Sequence, residues 1–239
     1  MKKKFLLATA LFLTGCAAQV PVVSTQVDGK ALDNALGKRH YILFPDNPKI
    51  NAHDLSFMEY KKYVMRILDS RGMTPSTDFN SADIAIFLGY GIGEPKTHTY
   101  TYSSPVWGQT GISSSNTYGT VSTYGNNSTY SSNTTYTPTY GVTGYTQNVG
   151  SVTYFTRYAS LNAYDVQAYK KDKSMIPVWS TTAISVGESG DLRKVMPYML
   201  YAMQPYIGKS TGGNIEVNTS EDDPYILSEL SNLNNIQPK

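Results

Sequence analysis

The 239-residue chain predicts an α/β fold: a two-layer sandwich of a mixed, largely antiparallel sheet with two main helices, carrying a long low-complexity insertion. Three observations predict it. Short apolar runs of strand length alternate with two stretches of helical period. The order reads strand, helix, strand, insert, strand, strand, helix, strand, which implies helices packed on a mixed sheet. Residues 97 to 156 contain no Asp, Glu, Lys or Arg, so they stand apart from the rest.

At the start, Lys2, Lys3 and Lys4 precede an apolar run from Phe5 to Leu13. That run is too short to span a bilayer as an anchor, and residues 1–15 are expected to be a secretory signal peptide. Leu13, Thr14 and Gly15 lead to Cys16, the one cysteine of the chain, which therefore has no partner for an internal disulfide. This run resembles the lipobox of bacterial lipoproteins. The resemblance implies cleavage before Cys16, lipidation of its thiol with diacylglycerol, and acylation of the new amine. Three palmitate-like chains would make a lasting membrane anchor, where one holds only marginally. Ala17 and Ala18 follow, with no Asp next to the cysteine. By the same resemblance the destination is the outer membrane, on either its periplasmic or its surface face. Residues 16–37 are small and polar without a sustained period, and are expected to form a lipidated tether.

Residues 38–219 are expected to form a single α/β domain. Tyr41 to Phe44 reads as a strand ended by Pro45. Ser56-Phe57-Met58-Glu59 has the form of a capping box, opening a helix whose Phe57, Tyr60, Val64, Ile67 and Leu68 share one face and which Gly72 closes. Lys61, Lys62 and Arg66 lie on its solvated side. Ser81 to Leu88 has the length and composition of a strand. Tyr158–Tyr169 and Ile176–Val186 are expected to pair as an antiparallel hairpin across the turn Lys170 to Ser174. Asp191 then caps a helix with a stripe of Leu192, Val195, Met199, Leu200, Met203 and Ile207, in which Pro197 imposes a kink or a late start. Residues 214–218 suggest an edge strand. Residues 220–239 are acidic and Asn-rich, and are expected to form a flexible tail with one helical turn near Tyr225 to Leu230.

Within the uncharged insert, nine tyrosines accompany His98 as the titratable groups. Such a stretch has few aliphatic residues to bury, so it is expected to be an insertion and not a compact unit. Tyr118, Tyr124, Tyr130 and Tyr136 recur every six residues, three of them after Ser-Thr or Thr-Thr and the first after Asn-Thr. An even spacing puts all four rings on one side of an extended strand, whereas on a helix the rings would rotate round the axis. An extended ribbon studded with aromatic rings is the consistent form. It could display rings for stacking on a sugar or on another protein, or associate with itself through strand edges.

Charge and motifs exclude several classes of function. Without Lys2, Lys3 and Lys4 there remain 17 basic and 18 acidic side chains, a net of −1; nucleic acid is not an expected partner, because phosphate binding needs concentrated positive charge. His40, His53 and His98 lie far apart in sequence, so no metal site is expected. Gly89-Tyr90-Gly91-Ile92-Gly93 lacks the third glycine and the helix of a dinucleotide loop, and Gly208-Lys209-Ser210 lacks the upstream glycine of a phosphate loop. Ser189 misses the nucleophile-elbow spacing by one residue. No catalytic residues and no cofactor are expected, and the chain is read as a non-enzyme.

The segments RHYILFP, ILDSRGM, ADIAIFLGYGIG, AYD, PVWST and SGDLRKVMPYMLYAMQPYIG together resemble a domain-of-unknown-function family of Gram-negative envelope lipoproteins. What the family implies is an outer-membrane lipid anchor and a small α/β domain, with no reaction. The expected function is a non-catalytic binding or scaffold component of the cell envelope. It would be held to the membrane by its N-terminal lipid, with an envelope protein or cell-wall glycan as partner. The alternative is a self-assembling or adhesive surface protein, and behind it an enzyme acting on peptidoglycan or esters.

Overall fold

The computed structural model describes residues 20–234. The chain divides into two compact units: Lys96–Thr153, and a larger one formed by the residues before and after it. The larger unit is mixed α/β, with one large mixed sheet and four helices among the described residues.

The strands in chain order are β1 (Val22–Ala31), β2 (His40–Pro45), β3 (Thr74–Pro75), β4 (Ile84–Ile92), β5 (Lys96–Tyr124), β6 (Asn127–Asp165), β7 (Pro177–Gly187) and β8 (Ile215–Ser220). The helices are α1 (Leu55–Ser70), α2 (Val166–Asp172), α3 (Leu192–Met203) and α4 (Pro224–Asn234). Across the sheet the order is β3-β2-β4-β6-β7-β1-β8. β2 runs parallel to β3 and β4, as the crossover through α1 requires, and the remaining pairs are antiparallel. On β2, β4 and β6 one set of alternate residues (Tyr41, Leu43, Ile84, Ile86, Leu88, Ala159, Leu161, Ala163) joins α1 and α3 in the main core. The other set, with Ile42, Phe44, Ala85 and Phe87, forms a smaller cluster with Val166 and Phe79.

Four expectations are corrected. The tether expected over 16–37 is a sheet strand from Val22 onward, hydrogen-bonded on both sides between β7 and β8. Val23, Thr25 and Val27 are its buried alternate residues. The alternation escapes notice because a threonine and Gly29 take two of the inward positions. At Gly29 a Cβ would come within 2.5 Å of the Lys209 carbonyl oxygen, so the passing chain requires glycine there.

The helix expected to open with a Ser56-to-Glu59 capping box starts instead after Asp54, whose carboxylate accepts the Phe57 N–H at 3.0 Å. Glu59 is engaged by Arg193 at 2.7 Å. The expected apolar stripe is buried, joined by Tyr63, and Gly72 takes up φ +74 just past the helix end. Arg66, expected on a solvated face, pairs with Glu229.

The hairpin turn expected at 170–174 is the end of a helix, α2. Asp165 ends β6 and accepts the N–H groups of Gln167 (2.7 Å) and Ala168 (3.0 Å), and Val166 is buried, so the chain turns helical before it returns as β7.

The tail expected from 220 begins with the end of β8 and continues as α4, with Ile226 buried and Tyr198 donating to the Glu221 carbonyl at 3.1 Å. Asp191 caps α3 as expected, and Pro197 lies buried within that helix without ending it. The strand expected over 214–218 is β8, at the edge of the sheet.

Candidate functional site

The insert expected over 97–156 is a compact unit over Lys96–Thr153, built as one β-hairpin of β5 and the outer part of β6. Thr and Tyr dominate it, and both suit extended backbone. Its two-residue turn is Gly125-Asn126. Gly125 has φ +63, the conformation a type II′ turn demands of its first central residue. The other glycines and Pro138 leave the strands continuous.

Side-chain bonds fix the register. Thr123 meets Ser128 at 3.0 Å and Thr117 meets Thr134 at 2.9 Å. Odd residues of β5 therefore share a face with even residues of β6. A Cβ on Gly119 would likewise strike the Tyr130 ring. This overturns the expectation that four rings lie on one side: Tyr118 and Tyr124 face one way, and Tyr130 and Tyr136 the other. The reason is parity. An even spacing keeps a face along one strand, but a two-residue turn pairs odd with even across it.

Nearer the base, Thr97 meets Thr153 at 2.9 Å and Gln147 reaches Ser103 at 2.7 Å, pairing odd with odd, whereas Gly108 abuts Thr143. Between these points β5 takes one residue more than β6, a bulge around Pro105, where a strand proline is tolerated. The shift brings Tyr100 and Tyr102, 6.1 Å apart, onto the face of Tyr130, Tyr136 and Tyr140. Tyr118, Tyr124 and Tyr145 occupy the opposite face. The rings are exposed, Tyr124 to 94%, and so is Trp107. The six-residue repeat draws attention to four rings; the others follow the same strand alternation without the repeat and are missed.

Chemically this ribbon offers aromatic faces, hydroxyls and two backbone edges that pair with no other strand among the described residues, with no Asp, Glu, Lys or Arg between Thr97 and Thr153. It is suited to stacking and to strand pairing.

A second feature lies in the larger unit. A cavity of about 600 Å³ is lined by Phe44, Phe79, Phe87, Tyr164 and Tyr169 together with Asp46. The rings of Phe44 and Phe87 lie 5.7 Å apart, and those of Phe87 and Tyr164 meet edge-on at 5.6 Å. Its size and apolar lining are those of a small-molecule site. The signal for it is Ile84-Ala85-Ile86-Phe87-Leu88, apolar at every position, which marks a strand covered on both faces.

Leu13, Thr14, Gly15 and Cys16 lie outside the described residues. The ring Nδ1 of His40 contacts Asp83 at 3.0 Å. The backbone N–H of His40 chiefly, with its ring and the N–H of Arg39, holds the Asp83 carboxyl below the usual range. These bonds tie the start of β2 to the loop before β4. Among the described residues no group of three His, Cys, Asp or Glu is placed to hold a metal, and no helix is long and apolar enough to cross a membrane.

No protein-family model and no curated protein matches the chain. Among solved structures it is similar to a PDZ domain protein from Parabacteroides distasonis ATCC 8503, at 10% identity and a TM-score of 0.36, covering 84% of this chain and 40% of that one. It is similar also to the lysenin pore, at 9% identity and a TM-score of 0.12, covering 84% of this chain and 49% of that one. The chain thus spans less than half the length of either, and neither likeness bears on function.

Proposed function

We propose that this chain is a lipid-anchored, non-catalytic component of a Gram-negative outer membrane, whose α/β unit carries an aromatic ribbon for binding another envelope component. Cys16 is the lipidated residue, with Leu13, Thr14 and Gly15 as its recognition sequence. The partner is an envelope protein or a cell-wall glycan. We read the α/β unit as two-layered, with α1 and α3 as its principal helices against one face of the sheet, a scaffold that holds the ends of the ribbon.

The observation that carries this reading is the unit Lys96–Thr153 itself: a hairpin with no Asp, Glu, Lys or Arg beyond Lys96, with exposed rings on both faces and no core of its own. A ribbon of that kind contributes little to the stability of its carrier and offers much surface for contact. The unpaired edges favour the second reading, a self-assembling or adhesive surface protein.

Two measurements test the proposal. Replacing Cys16 with Ser is expected to release the chain from sedimented envelope fragments; unchanged sedimentation would overturn the anchor. Deleting 97–153 is expected to abolish capture of envelope proteins or glycan by the purified chain, and full retention of every partner would remove the ribbon from the binding role.

A further inference from the structure

The ribbon has two outer edges, and their geometry points to an occupant. We propose that the ribbon of one copy pairs edge to edge with the ribbon of a second copy, the outer edge of β5 against the outer edge of β6. The proposal rests on the reading of the ribbon as a binding arm and adds to its envelope partner a second copy of the chain.

Counting from the two-residue turn, Tyr124 and Asn127 are the first mutually hydrogen-bonded pair, and the alternation of an antiparallel ladder assigns the rest. Between the turn and the bulge, even residues of β5 and odd residues of β6 bond each other. Odd residues of β5 (Gln109, Ser115, Val121) and even residues of β6 (Ser132, Val142) aim their N–H and C=O groups outward. Thr117 with Thr134 and Thr123 with Ser128 fit this assignment, because side chains approach closest in the pairs that exchange no backbone bond. Pro138 falls in the outward set, where its missing N–H costs the hairpin no bond and removes one donor from the β6 edge.

Three considerations select a second copy as the occupant. The first is direction: in ribbons that point the same way, the β5 edge of one is antiparallel to the β6 edge of the next, so the contact repeats the ladder already present within each hairpin. Copies held by one membrane would share that direction. The second is charge. Natural edges are protected by charge, proline, bulges or short length; this unit is long and carries no Asp, Glu, Lys or Arg beyond Lys96 at its base, so its protection is confined to Pro138 on β6 and the bulge around Pro105 on β5. Identical ribbons therefore meet without repulsion.

The third is area. Between the bulge and the turn β5 runs from Gly108 to Tyr124, about 56 Å of strand at ~3.3 Å per residue. A sheet edge about 10 Å thick over that length buries on the order of 560 Å² per copy, the size of a weak contact that depends on concentration. A lone two-stranded ribbon is marginal in water, whereas a third and fourth strand supply the missing pairing. The contact is head-to-tail, so it propagates into a ring if the rotation closes and a filament if it does not.

The test uses the full chain in detergent, by sedimentation velocity over a hundredfold range of concentration. The wild-type chain is expected to sediment as an oligomer that grows with concentration. Two variants block one edge each by removing outward N–H groups: Ser115→Pro with Val121→Pro on β5, and Ser132→Pro with Val142→Pro, on either side of the native Pro138, on β6; because proline also fixes φ, circular dichroism is used to verify that each variant keeps its strand content. Each variant by itself is expected to be a monomer. Mixed, they are expected to form dimers and nothing larger, because each supplies the edge the other lacks. A measurement without variants runs beside these: the outward amides of Gly119 and Thr134 are expected to gain at least tenfold protection from hydrogen exchange as wild-type oligomers form.

A wild-type monomer at every concentration, blocked variants that assemble as the wild type does, or outward amides left unprotected within an oligomer would each overturn the proposal. A monomer that still captures an envelope protein or glycan through residues 97–153 would overturn it while leaving the binding-arm reading intact; a monomer that captures nothing would overturn both.

Discussion

Arg157 is buried in the sheet with its Nη1 donating to the Ser189 carbonyl at 3.2 Å and its Nη2 to Ser185 Oγ at 2.9 Å, and among the described residues no carboxylate meets it. Burial pulls its pKa down. A Cβ on Gly187 would come within 2.6 Å of Nη2, so the glycine makes room for the guanidinium. Desolvation of an unpaired cation outweighs what two neutral acceptors return, and Arg157→Met is expected to leave stability within about 1 kcal/mol of wild type or to raise it. Gly187→Ala, which crowds the same group, is expected to cost about 1–3 kcal/mol in urea denaturation. Glu229 is the opposite case. Its hydrogen bonds with Arg66, one of them 3.1 Å long, hold its carboxyl below the usual range. The folded pKa lies under the unfolded one, so the stabilisation is complete above the ordinary glutamate range near ~4.3 and fades as pH falls toward the depressed value. Arg66 is half exposed and solvent screens the pair, so Glu229→Gln is expected to lower stability by about 1 kcal/mol at neutral pH and by less in acid, read from thermal melts at several pH values.

At the scale of elements, α2 shows both what the sequence discloses and what it conceals. Burial alone would raise the Asp165 carboxyl, but the N–H groups of Ala168 and Gln167 and the Lys38 ammonium at 2.9 Å outweigh it and hold it low. Asp165→Ala is expected to cost about 1–2 kcal/mol in thermal unfolding, the usual price of a lost cap, with hydrogen-exchange protection lost first over 166–172. The aspartate is visible in the sequence, yet it sits inside a run that continues with strand-like residues, so a hairpin is the simpler path until tertiary burial of Val166 decides otherwise. α1 and α3 are legible because their apolar stripes bury directly on the sheet. β1 is not, because Thr25 and Gly29 disguise an inward face. In the ribbon the extended form follows from Thr and Tyr and the face from an even spacing, but the position of the turn decides which rings face which way, and the repeat itself does not mark it. Gly125→Ala is expected to weaken the ribbon, since φ +63 strains any side chain, with a loss of about 1 kcal/mol seen as faster amide exchange near the turn.

For the molecule as a whole, the ends of the ribbon come together at its base, where Thr97 and Thr153 bond at 2.9 Å. Replacing residues 109–142 with an Asn-Gly turn is therefore expected to leave the melting of the α/β unit within about 1 kcal/mol of wild type by calorimetry, because closing a loop whose ends already meet costs little entropy. The same closure governs how such a protein changes over generations. Adding or dropping one six-residue unit on each arm moves the apex by six residues, about 20 Å of ribbon at ~3.3 Å per residue, and keeps Gly125-Asn126 at the turn and odd opposite even. Descendants can therefore differ in ribbon length while inheriting an unaltered α/β unit.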